Sequence, residues 1–568
     1  MRILLLTHAF NSLTQRLYVE LVALGHEVSV EFDINDRVTQ EAVALFRPHL
    51  ILAPFLKRAI PESIWRSHVC LIVHPGIVGD RGPSALDWAI LEGEAEWGVT
   101  LLQAEAEMDA GPIWATQTFP MRPAKKSSLY RNEVTEAAVQ VVRRALDLWP
   151  DYVAGRWRPT PLRPEDPVTR GRHRPAMKQR DRAIDWAKDD TATVLAKLNS
   201  ADGAPGVLDE LFGQPCYLYN GRAMPEARPT EGELWRCGEA VVRACRDGVV
   251  KIGHVRRTDT VPAIKLPAAL VFPEVQSLPT WPGCTDDEIR YEEIGHVGYL
   301  YFDFYNGAMG TEACESLLAA YLQARQRPTR VIVLMGGTDF FSNGLDLNRI
   351  EAASSPADES WRNIHAMDDL CEAILRTDTH LTVSAIRGNA GAGGAYLALA
   401  ADYVWARRGV ILNPHYKNMG NLYGSEYWTY LLPKRVGTEQ GQALMRGRLP
   451  LGADQAAGLG FVDEAFGDDP TAFEAETRQR AAALAGSAAF ADLLQEKNRR
   501  RAIAQAAKSL DAYRAEELEH MQRNFYGFDP SYHVARHHFV TKTPHSWTPR
   551  HLARHRDLGW VAPAQEMA

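Results

Sequence analysis

Three glycine-punctuated segments constrain this chain more than anything else in it. Two lie in the second half, V-I-V-L-M-G-G-T-D-F-F-S-N-G-L-D-L from Val331 and A-I-R-G-N-A-G-A-G-G-A-Y-L-A-L-A-A-D from Ala385. The third lies far earlier, L-I-V-H-P-G-I-V-G-D-R-G-P-S-A-L-D-W from Leu71. In each, an apolar run breaks at glycines and gives way to a new pattern, as in α/β units that hold ligands beyond the carboxyl ends of their strands. Glycine lets backbone approach a bound group closely, and a helix that follows adds its amino-terminal dipole. His74 closes the first apolar run.

At 568 residues the chain has room for about three or four domains, and its net charge of −8 supplies no basic field for nucleic acid. No apolar run is long enough to span a bilayer, and Arg2 followed by I-L-L-L reads as a buried first strand. The seven cysteines are odd in number, scattered and never spaced C-x-x-C, which argues against a disulfide framework and against a zinc site. A cytoplasmic setting is expected, with no metal, no nucleic-acid partner and no membrane partner.

The succession R-I-L-L-L-T, S-L-T-Q-R-L-Y-V-E-L-V-A-L-G, H-E-V-S-V-E-F is a βαβ start with Gly25 ending the helix, and L-I-L-A-P and V-C-L-I-V-H continue it. This alternation predicts a parallel sheet with helices on both faces. Pro159 to Ala176 is rich in Pro and Arg and lacks an apolar period, so it reads as a linker. Short strands then build a small β-rich domain to about Gly283, a second α/β pattern begins near Tyr299, and helices dominate from Thr471. The expected α/β multidomain chain has domains at 1–165, 179–283 and 284–470, a linker at 166–178 and a helical region at 471–568.

Residues 1 to about 280 resemble the 10-formyltetrahydrofolate-dependent formyltransferases and hydrolases. The family's loop N-x-H-P, with the Asp of D-x-G some thirty-five residues on, is matched by His74 and Asp109. The G-D-R-G-P segment, with Arg81 and Gly82, matches the substrate loop, and I-D-W at Ile184 enters a domain similar to the β-barrel appended to methionyl-tRNA formyltransferases. The resemblance implies a Rossmann-like formyltransferase domain, a small OB-like barrel and 10-formyltetrahydrofolate as donor. It gives His74 and Asp109 the oxyanion and proton-transfer tasks of a tetrahedral intermediate. Ile72 replaces the family's asparagine and cannot donate a hydrogen bond. Losing one such donor typically costs on the order of a hundredfold in rate, a demand that a thiol acceptor eases. Asn11, Ser12, Gln15 and Arg16 open the first helix, where they suit either a phosphate or carboxylate of an acceptor or a plain helix cap.

From about Gly295 to Phe466 the chain resembles the enoyl-CoA hydratase/isomerase (crotonase) superfamily, through F-F-S-N-G-L-D-L at Phe340, G-N-A-G-A-G-G-A-Y at Gly388 and A-D-Y-V-W-A at Ala401. That resemblance implies a crotonase fold, a coenzyme A thioester and an oxyanion hole made by the Leu345 and Gly393 N–H groups. The two hydratase glutamates are replaced by Tyr396 and, twenty residues on, Tyr416, so addition of water across a double bond is not expected. Tyr416 and Glu426 suit a proton-transfer pair if burial brings their pKa values toward neutrality, or else a core tyrosine and the start of a solvated helix. Asn306, the run Lys497 to Arg501 and the run from Arg536 are candidates for coenzyme A phosphates.

The two halves in this order, altered in these ways, resemble a family of fused proteins that mature [NiFe]-hydrogenases. That resemblance implies formyl transfer from 10-formyltetrahydrofolate to coenzyme A, cleavage of formyl-CoA to carbon monoxide and CoA, and hydrogenase-maturation proteins as partners. A formyltetrahydrofolate hydrolase joined to an acyl-CoA isomerase or thioesterase, and a non-catalytic scaffold, remain open readings of the same residues.

Overall fold

The computed structural model describes residues 1–224, 233–284, 288–557 and 559–561. It divides into two compact units, Met1–Thr285 with Pro544–Ala568, and Asp286–Thr543.

The first unit begins with a six-stranded sheet of β1 (Arg2–Thr7), β2 (Glu27–Phe32), β3 (Leu50–Phe55), β4 (Cys70–His74), β5 (Glu96–Gln103) and β6 (Ile113–Pro120), ordered β2-β1-β3-β4-β5-β6. β1 to β4 are parallel, as the alternation predicts, but β5 and β6 run antiparallel to their neighbours. A parallel pair needs a long crossover, and the short A-E-A-E-M-D-A-G-P stretch after Gln103 permits only a hairpin. The loop of that hairpin carries Asp109. The helix Thr135–Val153 buries Ala138, Val141, Val142 and Ala145 at helical spacing and packs on β5 and β6.

The Pro- and Arg-rich stretch is a strap laid against the loop that follows His74, and not a free spacer. Gly171 N–H donates to Val78 O at 2.8 Å, and Arg174 N–H to Arg81 O at 2.8 Å. Extended backbone held by such bonds needs no apolar period, which is why sequence patterning misreads it. Beyond it, β7 (Val207–Leu211), β8 (Gln214–Ala223), β9 (Leu234–Cys237), β10 (Ala240–Ala244), β11 (Val249–Arg257) and β12 (Leu266–Pro267) form an antiparallel sheet ordered β7-β8-β11-β10-β9, with β12 on β11. Cys237 and Cys284 are joined in a disulfide, against the expectation drawn from cysteine spacing, and the other five cysteines are buried and free. The pair is separated by 47 residues, too far for local spacing to reveal.

Residues from Pro544 onward belong to this first unit and not, as expected, to the helical tail. They cover edge strand β2: Val30 N–H donates to Leu552 O at 3.0 Å, Phe32 N–H to the Thr548 hydroxyl at 2.8 Å, and His555 Nε2 lies 2.9 Å from the buried Glu31 carboxylate.

The second unit contains β13 (Ile289–Ile294), β14 (Val297–Phe302), β15 (Val331–Met335), β16 (Phe340–Ser342), β17 (Leu381–Ile386), β18 (Asn389–Gly391), β19 (Tyr403–Arg407), β20 (Ile411–Asn413), β21 (Leu451–Gly452) and β22 (Glu464–Phe466). One sheet runs β13-β14-β15-β17-β19-β22 and a smaller one β16-β18-β20-β21. Helices Thr311–Ala324 and Pro356–Leu375 pack together through Leu317, Tyr321, Ile364, Met367 and Leu370, each side chain contributing about 1.5–3 kcal/mol by burial. Four helices from Pro470 to Thr541 complete the unit. Among the described residues no helix is long and apolar enough to cross a membrane.

Candidate functional sites in the two units

His74 ends β4, buried, with a carboxylate at each ring nitrogen. Nε2 lies 3.0 Å from Asp80 Oδ2, and Nδ1 lies 3.6 Å from Asp109 Oδ1. Asp109 stands in left-handed backbone, φ +55°, and its other oxygen accepts the Gly82 N–H at 3.1 Å. Burial alone lowers the proton affinity of His74, but the hydrogen bond to Asp80 and the charges of Asp109 and Asp80 outweigh it, so its pKa is raised. The loop can be this tight only because it is rich in glycine: a Cβ on Gly76 would sit 2.4 Å from His74 Nε2, and one on Gly82 would sit 2.1 Å from Arg174 O.

Two members of this site are not evident from sequence. Asp80 lies within the recognised G-D-R-G-P segment, yet its role depends on folding back onto His74. Arg174 comes from the strap: 5 % exposed, it pairs with Asp80 and Glu92 and stacks over Trp97 at 5.1 Å. Arg81 pairs with Glu107 at the surface. Ile72 is on the same side of β4 as His74, two residues away, and packs against the core cluster that includes Leu4, Ile51 and Cys70.

At the first helix, Asn11 is the cap, its Oδ1 accepting from Thr14 N–H at 3.0 Å, and Gln15 Nε2 donates to Phe10 O at 2.8 Å. Arg16 pairs with Glu20 at 2.7 Å and Glu136 at 3.5 Å. Ser12 begins the helix without a capping role.

In the second unit the two glycine turns meet. Gly344 has φ +77°, and a Cβ on it would come 3.2 Å from Gly393 N. The Gly344 N–H donates to Ser342 Oγ at 3.0 Å and the Asp346 N–H to Asn363 Oδ1 at 3.3 Å. The intervening Leu345 N–H has no acceptor among the described residues, and neither has the Gly393 N–H at the start of the helix Gly393–Leu399. Two amides are left open at one place, one of them at a helix amino terminus, where such groups can meet a developing negative charge.

Glu426 borders these amides: a Cβ on Gly393 would lie 2.1 Å from its Oε1. Tyr416 Oη donates to Glu426 Oε2 at 2.6 Å, and the Tyr396 ring stacks on Tyr416 at 5.4 Å. Burial, and then the charge of Asp368, raise the Glu426 carboxyl well above the usual carboxylate range and toward neutrality, whereas burial raises the Tyr416 phenol away from neutrality, so only Glu426 meets the condition set from the sequence. Glu426 is 1 % exposed, so the solvated-helix reading of it does not hold. Asp368, Ser425 and Glu517 surround it, and nothing in their local sequence marks them.

The proposed phosphate runs fare differently. Lys497 is buried on Asp402 at 2.6 Å, Arg501 reaches the same carboxylate at 3.1 Å, and Arg499 and Arg500 pair with Glu496. Arg536, 3 % exposed, is held by Glu351 at 2.8 Å. Lys497, Arg501 and Arg536 are spent inside the fold, a correction to the sequence expectation, while Arg499 and Arg500 stand at the surface with Glu496. Asn306 is exposed, in left-handed backbone, and its carbonyl accepts from Asn343 Nδ2 at 2.8 Å, which ties its loop to the first glycine turn.

A buried His–Asp centre on a Rossmann-like sheet and two open amides at the glycine turns of a crotonase-like fold mark a formyltransferase domain joined to an enoyl-CoA hydratase/isomerase-type domain. The formyl transferase family matches residues 28–146, and the enoyl-CoA hydratase/isomerase family matches residues 305–549. The chain is 56% identical to a hydrogenase maturation factor HoxX of Bradyrhizobium diazoefficiens, over 98% of this chain and 97% of that one. It matches the crystal structure of HypX from Aquifex aeolicus in complex with tetrahydrofolic acid with a TM-score of 0.94 and 48% identity, over 99% of this chain and 100% of that one. A methionyl-tRNA formyltransferase of Geotalea uraniireducens is 26% identical over 42% of this chain and 75% of its own length. The chain belongs to the HoxX/HypX family of hydrogenase maturation factors.

Proposed function

We propose that the chain makes carbon monoxide for [NiFe]-hydrogenase maturation in two steps that share coenzyme A. In the first, the CoA sulfur attacks the formyl carbon of 10-formyltetrahydrofolate, the C–N bond breaks, and the thiol proton ends on N10. His74, protonated and hydrogen-bonded to Asp80 through Nε2, donates to the formyl oxygen through Nδ1, which at 3.6 Å is not hydrogen-bonded to Asp109, and in part replaces the missing asparagine at Ile72; Asp109 moves the proton. Arg81, Gly82, Asn11, Ser12 and Gln15 are the candidates to hold the substrates of this step. In the second, the Leu345 and Gly393 amides polarise the formyl thioester while Tyr416 and Glu426 take the formyl proton and protonate the departing sulfur, releasing carbon monoxide and CoA. Asn306 is the candidate contact for CoA there.

The observation that carries this reading is the Tyr416–Glu426 pair placed beside the open amides, where the chain has no hydratase carboxylate at Tyr396 or Tyr416. The HypX of Aquifex aeolicus with tetrahydrofolic acid supports the choice of folate. A cytoplasmic location, where folate and CoA are drawn on, and hydrogenase-maturation proteins as recipients belong to the same reading. Headspace carbon monoxide from purified protein given 10-formyltetrahydrofolate, with and without CoA, tests it. Gas only when CoA is present is expected; formate with CoA present and no gas identifies instead a hydrolase joined to an acyl-CoA thioesterase.

A further inference from the structure

Ser425, Glu426 and Tyr427 form a kink held from two helices. Glu426 and Tyr427 each have φ +59°, a costly conformation for two residues with side chains. Asp368, on the helix Pro356–Leu375, accepts the Glu426 N–H at 2.8 Å through Oδ1 and the Ser425 hydroxyl at 2.9 Å through Oδ2. Glu517, on the helix Leu510–Tyr526, accepts the N–H groups of Tyr427 at 2.9 Å and Thr429 at 2.8 Å, and the Thr429 hydroxyl. Ser425 Oγ is also 3.2 Å from Glu517 Oε2, so its single proton serves one carboxylate at a time.

Three carboxyl groups this close and this buried cannot all be ionised. Charge belongs where a cation stands beside the donors, and Glu517, though richer in donors, has no cation in contact among the described residues. Asp368 receives an N–H and a hydroxyl and faces the Arg514 guanidinium at 3.8 Å, which also meets Asp369 and Glu372. Glu426 receives the Tyr416 hydroxyl and the Ser425 N–H at 3.1 Å, and no cation contacts it among the described residues. The other titratable groups that face it are Tyr396 from the helix Gly393–Leu399, Cys314 from the helix Thr311–Ala324 and Cys371 from the Asp368 helix, all kept neutral by burial.

We propose that Asp368 is a positioning residue for the carboxy-terminal reaction: it carries the negative charge of the cluster, pins the kink, and so keeps Glu426 protonated against Gly393. The role assigned to that proton rests on the function proposed above. As the C–S bond of formyl-CoA breaks with its electron pair going to sulfur, Glu426 gives sulfur its proton. The resulting carboxylate takes the proton of the formyl carbon, whose C–H electrons become the carbon lone pair of carbon monoxide, and Glu426 ends as it began.

Infrared titration of the full-length protein tests the placement of charge without relying on activity. The carboxylic-acid carbonyl band lost in Glu426→Gln reports Glu426. In Asp368→Asn, which keeps an acceptor for the Glu426 N–H but removes the charge, the midpoint of that band is expected about one pH unit or more lower. The alkaline limb of carbon monoxide release from supplied formyl-CoA should move with it. Ser425→Ala, which weakens the ionised form of Asp368 with little change of volume, should move the midpoint the same way by less and covers the case in which Asp368→Asn does not fold. Midpoints unmoved in the folded variants, with turnover reduced equally at every pH, would overturn the proposal and leave Asp368 a structural clamp. A wild-type protein that releases no carbon monoxide from formyl-CoA overturns the function instead, and the infrared midpoint still decides where the charge resides.

Discussion

Tyr416 Oη lies 2.6 Å from Glu426 Oε2, a short hydrogen bond between two buried groups ten residues apart in the chain. If this pair acts only on formyl-CoA, Tyr416→Phe and Glu426→Gln each stop carbon monoxide release while tetrahydrofolate still forms, and formyl-CoA or formate accumulates. Phe and Gln nearly preserve volume, so the loss is chemical and not a packing defect. Chromatography of the CoA products with a parallel tetrahydrofolate assay checks it; wild-type gas yields from both variants contradict the assignment.

His74→Ala should abolish consumption of 10-formyltetrahydrofolate and leave CoA binding by an isothermal titration unchanged, because the imidazole serves the transfer step alone. A variant that forms tetrahydrofolate at the wild-type rate removes His74 from the reaction.

The pH dependence of the first site follows from Asp80. The His74 pKa is raised by folding, so its contribution to stability is complete below the ordinary imidazole value and fades as pH rises through the folded value. Asp80→Asn removes the strongest raising partner, leaves burial to lower the pKa, and strips the buried Arg174 of an anion. Transfer should then lose its imidazolium-dependent rate at lower pH than in the wild type, and unfolding by denaturant should register a loss of about 3–5 kcal/mol, as for a broken buried pair. An unshifted limb contradicts the account.

Ile72→Asn restores the donor found in related formyltransferases, next to His74 on β4. It should be tolerated in a site that is only partly buried, and raise hydrolysis or transfer to amines at the expense of CoA. An unchanged product distribution shows that Ile72 does not tune the acceptor.

How much of this was legible in the sequence depended on how local each signal is. His74, Asp109, Leu345 and Gly393 stand in short segments whose glycines dictate the turn, and the turn delivers the atom. Tyr416 came from the register of the crotonase resemblance, twenty residues after Tyr396, and Glu426 from its place ten residues further on. Arg174 was hidden because it reaches Asp80 from 94 residues away, through a strap held by backbone bonds that leave no apolar signature. Asp368 and Glu517 were hidden because a buried acid on an otherwise amphipathic helix looks like a surface acid until its partner arrives from another helix. The opposite error explains Arg536 and Lys497: long cations near the chain end read as ligand-binding, yet Glu351 and Asp402 bury them. The β5–β6 hairpin was missed because its direction is set by the short connection and not by strand composition, and the helical link from His74 to Glu96, long enough for a parallel crossover, gave no sign that β5 runs antiparallel to β4.

The central claim is that one formyl group passes through both sites as a thioester. Rapid quenching after mixing the protein with CoA and 10-formyltetrahydrofolate labelled with carbon-13 in the formyl group tests it most directly. Label is expected first in formyl-CoA and then in carbon monoxide, with Glu426→Gln halting it at formyl-CoA. Labelled carbon monoxide formed without CoA, or label that reaches formate and never formyl-CoA, would contradict the account.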